Sequence, residues 1–405
     1  MKMGLVNGKL CGKAVLGGMM TMAIMAHASE AADTLGGALT GGKVSLDVRY
    51  RYEHVAQDNA LKDANASTVR SRMGYATDSY HGVMGYLEFE NITAVGAEDY
   101  NSGANGKTAY AVVTDPEGSE VNQAYLSWDA LPATQLKYGR QRIILDNERF
   151  IGAVAWRQNE QTFDALSLVN KSLPDTVVSY AHLSNADRIT GTNAEMSSNL
   201  LNASYSGLAA GVLTGYAYLL DYTKTASQST QTYGLRFAGG TKVGESGKVL
   251  YTAEFAQQSD YGKNAAKFDL NYLLAEVGGV MSGVTAKLGY EVLEGDGTNS
   301  VQTPLATLHA FNGWADQFLT TPATGLEDNY LSVGGAAAGL NLLAVYHDFK
   351  ANKGGGDFGT ELDVQAMKKI DKIYSLIAKY ASYSAGNAPG KVDTDKLWLV
   401  GQVSF

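Results

Sequence analysis

Residues Lys43 to Glu53 read KVSLDVRYRYE, and in them Val44, Leu46, Val48, Tyr50 and Tyr52 alternate with Lys43, Ser45, Asp47, Arg49, Arg51 and Glu53. Successive side chains of a strand point to opposite faces, so this stretch is a strand with one apolar and one charged face. The far end of the chain repeats the pattern, with Leu397, Leu399, Gly401, Val403 and Phe405 on one face and Lys396, Gln402 and Ser404 on the other. Further segments of similar length lie between them, beginning at 67–78 and 82–92 and running through 134–145 and 161–170 to 359–368 and 371–383. With the two ends they make eighteen strands, or sixteen if the weakly patterned middle from Lys267 to Gly278 drops out.

The connections alternate in length: 55–66, 93–119, 146–160 and 295–327 are long, whereas 79–81, 131–133, 171–174 and 338–339 are short. All six prolines, Pro116, Pro132, Pro174, Pro304, Pro322 and Pro389, fall in connections. That is expected where every strand residue must donate to the ladder. Long loops at one end and short turns at the other, joining strands of about 11 residues, are the pattern of an outer-membrane barrel. The expected fold is all-β, a transmembrane antiparallel up-and-down β-barrel whose apolar face meets lipid and whose charged face encloses water. Tyr50, Tyr52, Tyr75, Trp128, Tyr138, Tyr216, Tyr218 and Tyr222 sit mostly near strand ends and read as interfacial girdles.

Composition narrows the classes further. The 405 residues carry 32 Lys plus Arg against 41 Asp plus Glu, a formal charge of −9, with 46 Gly, 24 Tyr and one Cys. An acidic chain without a run of basic residues is not a nucleic-acid binder. Residues 1–28 read as a secretory signal peptide, with Lys2, Lys9 and Lys13 before an apolar run from Ala14 to Ala26 and the small-residue motif Ala26-His27-Ala28. Its removal takes away Cys11 and leaves a barrel domain of 29–405 with a charge of −12 and no disulfide. The expected location is the outer membrane of a Gram-negative bacterium, with membrane lipid as one partner.

Eight of the ten arginines lie between positions 49 and 157. Residues spaced i, i+2 share one face of a strand, so Arg49 with Arg51 and Arg70 with Arg72 place four guanidiniums on adjacent strands. Two readings stay open. The four form a basic wall that attracts anionic solutes, or they form a salt-bridge ladder with Asp47, Glu53, Asp78, Glu88 and Glu90 that stiffens the barrel. The stretch from Gly139 to Asp164, with Arg140, Arg142, Arg149 and Arg157, either folds inward and constricts the lumen or caps it from outside. The aromatic loop 295–327, with Phe311, Trp314 and Phe318, is a second such plug or lid. The expected pore-lining set is Arg49, Arg51, Arg70, Arg72, Glu88, Glu90, Arg140, Arg142, Arg157, Asp164 and Arg236.

Other chemistry finds little footing. His54, His81, His182, His309 and His347 are scattered singly, without a nucleophile elbow or metal-ligand spacing, so no catalytic residue is assigned. No phosphate loop, dinucleotide fingerprint or calcium loop occurs, and no cofactor is expected. Glu294, Asp296, Glu327 and Asp328 read as a solvated rim, with a divalent cation as the alternative.

Six segments resemble the alginate-export-type porins of outer membranes: VRYRYE (48–53), TVRSRMGY (68–75), KYGRQ (137–141), WRQNEQTFDA (156–165), LATLHAFNGWAD (305–316) and KLWLVGQVSF (396–405). The resemblance implies an 18-stranded channel with Arg49, Arg51, Arg70, Arg72, Arg140 and Arg157 in the lumen. The function expected from the residues is passive diffusion of small hydrophilic, anionic solutes. Export of an anionic polysaccharide such as alginate, with oligouronates as partners, is the alternative that the family implies. A barrel enzyme and an adhesive barrel are the readings from other classes. Whether one barrel or three associate is left open.

Overall fold

The alternation that begins at Lys43 is realised as one closed sheet. A computed structural model of the chain describes residues 32–405, and the predicted signal peptide lies outside them. The strands are β1 (Lys43–Gln57), β2 (Ala64–Ala76), β3 (Val83–Asp99), β4 (Gly118–Leu131), β5 (Thr134–Gln141), β6 (Thr162–Asn170), β7 (Thr176–Asp187), β8 (Asn193–Leu208) and β9 (Gly211–Leu220). They continue as β10 (Thr230–Val243), β11 (Gly247–Asp260), β12 (Asp269–Met281), β13 (Val284–Leu293), β14 (Leu326–Ala337), β15 (Leu340–Lys350), β16 (Asp357–Ile370), β17 (Tyr374–Ala385) and β18 (Thr394–Ser404). Each pairs antiparallel with its neighbours in sequence, and β1 pairs with β18. The barrel therefore has eighteen strands, and the weakly patterned segment from Lys267 to Gly278 holds most of β12.

Closure leaves no open edge, so every strand can satisfy its backbone inside lipid. In β1, Asp47, Arg49, Arg51, Glu53 and Val55 are buried inside, while Val44, Leu46 and Tyr50 are exposed outside. Met73, Leu87, Phe89, Leu126, Tyr138, Leu166 and Leu201 continue the exposed apolar exterior. A continuous surface of this kind is covered by hydrocarbon in the working protein. A two-residue turn such as Ser282-Gly283, with φ of 50° and 82°, fits the twist of the strands it joins. A short helix, α1 (Leu35–Thr40), lies at the turn end, where Asp78 N–H donates to Ala38 O at 3.0 Å.

Three expectations change. β5 ends at Gln141, so residues 142–145 and Arg142 with them belong to the following loop. The first loop, 58–63, and the fourth, 188–192, are short, so length alternates less strictly than the sequence suggests. Tyr216, Tyr218 and Tyr222 are not girdle residues but lie buried inside. Tyr216 and Tyr218 alternate with Gly215 and Ala217, and it is the two small residues that face lipid.

Candidate functional site

We number the nine loop-end connections L1 to L9; L2 is 100–117, L3 is 142–161 and L7 is 294–325. Both L3 and L7 fold into the barrel. From Arg142 the chain crosses the inner wall, and Asp146 accepts a bond of 2.7 Å from Asn202 Nδ2 on β8. Phe150 is buried among inner-face tyrosines, with ring centroids 5.4 Å from Tyr216, 6.1 Å from Tyr218 and 5.2 Å from Tyr272. Burying a ring of this size contributes about 1.5–3 kcal/mol, which helps offset the ordering of a long loop. L3 then joins L7: Ile151 and Leu305 form a parallel bridge, Gly152 N–H donates to Leu305 O at 2.8 Å, and Thr307 N–H donates to Glu148 O at 3.1 Å.

The arginines hold this assembly against the wall. Arg49 and Arg70 stand directly opposite each other in register, an arrangement that repels unless neutralised. Arg70 pairs with Asp47, while Arg49 donates to Ala155 O at 3.0 Å, to Gln158 Oε1 at 2.9 Å and to Arg157 O. Arg51 pairs with Asp115 of L2 at 3.3 Å, donates to Trp156 O and lies 4.3 Å from the Trp156 ring centroid. Arg72 pairs with Glu90 and, at 3.4 Å, with Glu160, which also takes Arg142 Nε at 3.0 Å. Arg157 reaches back to Glu53 at 2.9 Å and to Asp316 of L7 at 3.2 Å. Glu88 accepts from Asn122 Nδ2 at 2.7 Å and Tyr86 OH at 2.8 Å.

Arg49, Arg51, Arg70 and Arg72 are on the inner face, as the alternation requires, but they and Arg157 of L3 are each 7% exposed or less, enclosed by acids and, for Arg49 and Arg51, by loop carbonyls. Ion pairs of the ladder kind engage Arg51, Arg70 and Arg72, two of them with loop acids, whereas Arg49 meets only loop carbonyls and Gln158, and Asp78 pairs with none of the four. Arg236 and Glu254 form a separate inner pair at 2.7 Å. Arg140 and Asp164, paired at 2.9 Å and only half-buried, sit at the loop-side ends of β5 and β6, and Arg140 also engages Asp187 at 2.6 Å. The structure does not bring them to the main cluster.

L7 docks on the wall from β13 to β18, which adjoins β1, and sequence reasoning missed most of its partners. Trp314 N–H donates to Asp363 at 3.2 Å and Ala315 N–H to Glu361 at 2.6 Å. Gly313 has φ +84°, and a Cβ there would stand 2.2 Å from Glu361 Oε2, so only glycine permits the approach. Arg149 pairs with Glu291 at 2.8 Å, and Asn312 Nδ2 donates to Glu291 at 2.6 Å. At the β17–β18 wall, Lys379 Nζ lies 3.6 Å from the Trp314 ring centroid, 4.0 Å from that of Trp156 and 5.4 Å from that of Trp398. The same ammonium donates to His309 Nε2 at 2.8 Å, which leaves His309 Nδ1–H to donate to Asp316 at 2.8 Å. Burial and the adjacent Lys379 charge hold His309 well below its ordinary pKa. The only sequence signal was the clustering of Trp, His and Asp in LATLHAFNGWAD; Lys379 sits in an unremarkable alternating strand.

The rim acids disperse: Glu294 accepts from Asn271, Asp296 from Thr298 and Asn299, Glu327 from Asn352, and Asp328 pairs with His347. Among the described residues no group of three or more His, Cys, Asp or Glu could hold a metal ion.

Toward the turns the lumen changes character, and inner-face side chains such as Glu276, Lys287, Tyr330, Gln365 and Gln402 stay partly exposed. An open turn-side half therefore leads to a loop-side constriction. Solved structures share the barrel fold. Pseudomonas aeruginosa OpdK, solved with vanillate, matches with a TM-score of 0.73 over 91% of this chain and 100% of its own, at 14% identity. P. aeruginosa OccK9 (OpdG) matches with 0.74 over the same shares at 14% identity, and Acinetobacter baumannii OccAB2 with 0.73 over 91% and 99% at 14%. The chain has the fold of the Occ and Opd barrels. No protein-family model and no curated protein matches the sequence. These likenesses do not carry the narrower resemblance to alginate-export-type porins.

Proposed function

We propose that the chain is an outer-membrane channel for passive diffusion of small hydrophilic solutes, with a preference for anions. One observation carries the reading: a closed barrel, apolar outside and charged inside, is narrowed but not lined with chemistry by two of its own loops. Such a constriction sets a size limit and a local field for whatever diffuses through. The likeness in fold to Occ and Opd barrels supports it.

The anion preference has a different source from the one the arginine spacing suggests. Arg49, Arg51 and Arg72 are engaged by L3, and Arg70 by Asp47 of β1. Lys137, Lys242, Lys248 and Lys369 occupy inner-face positions of the open half, and none has a carboxylate within 4.0 Å among the described residues. Lys242 even stands opposite Lys248 in register. Such uncompensated cations raise the local concentration of anions. Polyuronate export, the finer reading that the family resemblance implies, is less well supported, because it needs L3 and L7 to leave a lumen in which buried ion pairs hold them.

Planar-bilayer recording tests the proposal. Purified, refolded protein is expected to give stepwise conductance with a reversal potential favouring anions; a preparation that inserts but gives no steps refutes the channel.

A further inference from the structure

Between the first leg of L3 and the inner wall of β5 to β8 lies a cavity of about 150 Å³. It is on the turn side of the constriction, where the exposed Gln135 marks its opening. Lys137 lines it, half-buried, with Nζ 4.9 Å from the Tyr125 ring centroid and no carboxylate in ion-pair range among the described residues. Arg142 lines it too, but its guanidinium is held by Glu160. Ile143 and Leu145 of L3 and Leu200 of β8 supply an apolar lining. A cation without a counter-ion beside an apolar lining is unfavourable until an anion completes it. A cavity of this size holds one benzene-sized group.

We propose that this cavity is a binding subsite for small amphipathic monoanions, with a carboxylate or sulfonate against Lys137 and a compact apolar body against Ile143, Leu145 and Leu200. Its place in transport rests on the channel reading above; binding itself does not. The geometry separates the two halves of the ligand. Lys137 reaches the cavity from one strand, and the apolar lining comes from L3 and from β8, so only a molecule with both parts uses the whole site. Ser167, which also lines the cavity, already donates to Gln141 at 2.6 Å, so among the donors lining the cavity Lys137 is the cation without an ion pair, with the neutral Gln135 and Ser179 beside it. The subsite lies just before the constriction as seen from the turns. A bound anion there would wait next to L3 instead of at the bare wall.

Isothermal titration of the full chain in detergent with benzenesulfonate as probe decides the matter. Saturable one-site binding is expected, weakened about fivefold or more by Lys137→Gln and restored by Lys137→Arg, as the loss of one charge-assisted contact implies. Methanesulfonate, which lacks the body, and benzyl alcohol, which lacks the charge, are expected to bind at least about fivefold more weakly than the probe. No saturable binding to the unaltered chain, a smaller loss in Lys137→Gln, or equal binding of either control overturns the subsite. Single-channel recording of the same preparations separates the two claims: steps without probe binding remove the subsite and keep the channel, and binding without steps does the reverse.

Discussion

Glu160 shows how a single loop residue fixes a wall. Its carboxylate is fully buried against Arg142 and Arg72, and takes a further 2.7 Å bond from Asn122 Nδ2. Burial alone would raise its pKa, but the two guanidiniums outweigh that and hold it down to about 2. Its folded value lies below the ordinary 4.5, so its contribution is complete above about pH 4.5 and is lost as pH falls toward 2. Channel current noise, reporting release of L3, is expected to rise across that acid window and to stay flat from pH 5 to 8. Glu160→Gln leaves buried guanidinium charge uncompensated, an effect of about 3–5 kcal/mol on the docked loop. It should therefore give noisy, larger steps at neutral pH. If Glu160→Gln channels are as quiet as the unaltered ones, Glu160 does not anchor L3. The sequence displayed both arginines and the acid but could not pair them, because the partners of Arg72 lie in a neighbouring strand and in a loop 88 positions further on.

At the scale of elements, the strands were legible and the loops were not, for a physical reason. Alternation has a period of two within one segment, so it survives without knowledge of the partner strand; β1 and β18 could be read residue by residue. The inward fold of L3 depends on surfaces supplied by β8, β9 and β12, and no local pattern in residues 142–161 contains them. The tyrosines misread as girdle show the same limit: Tyr216 and Tyr218 keep strict alternation, but the apolar surface they meet is Phe150, not lipid. Phe150→Ala should cost about 3–5 kcal/mol of that docking and, like deletion of 147–155, raise single-channel conductance while the barrel still forms. Unchanged conductance in both would mean that L3 does not set the constriction. Because Ile151 and Leu305 already pair, a disulfide from Ile151→Cys with Leu305→Cys is expected to leave conductance unaltered on oxidation. A fall on oxidation would show instead that the two loops part company in the conducting state.

Across the whole molecule, charge is sorted along the barrel axis rather than simply around the wall. The arginine-rich half, which first suggested an anion channel, is largely neutralised: Asp47, Glu90, Asp115, Glu160, Glu53 and Asp316 each meet a guanidinium, and Arg49 is covered by loop carbonyls and Gln158. Three of these acids, Asp115, Glu160 and Asp316, belong to loops that only the closed barrel brings inside, which is why net charge and strand spacing together suggest a bare basic wall that the fold does not leave. The uncompensated cations lie nearer the turns, where solvent reaches them and salt screens them over about 10 Å at 0.1 M. Selectivity set there must weaken as ionic strength rises, whereas the buried arginine pairs are shielded from such screening. Lys242→Glu, Lys248→Glu and Lys369→Glu combined should therefore move the reversal potential in a low-salt gradient from anion-favouring toward cation-favouring. Arg49→Ala with Arg70→Ala should leave its sign unchanged while making the current noisier. The opposite outcome, in which the arginine pair governs the sign and the lysines do not, would return the selective region to the constriction and would mean that solutes reach guanidiniums which loop backbone now covers.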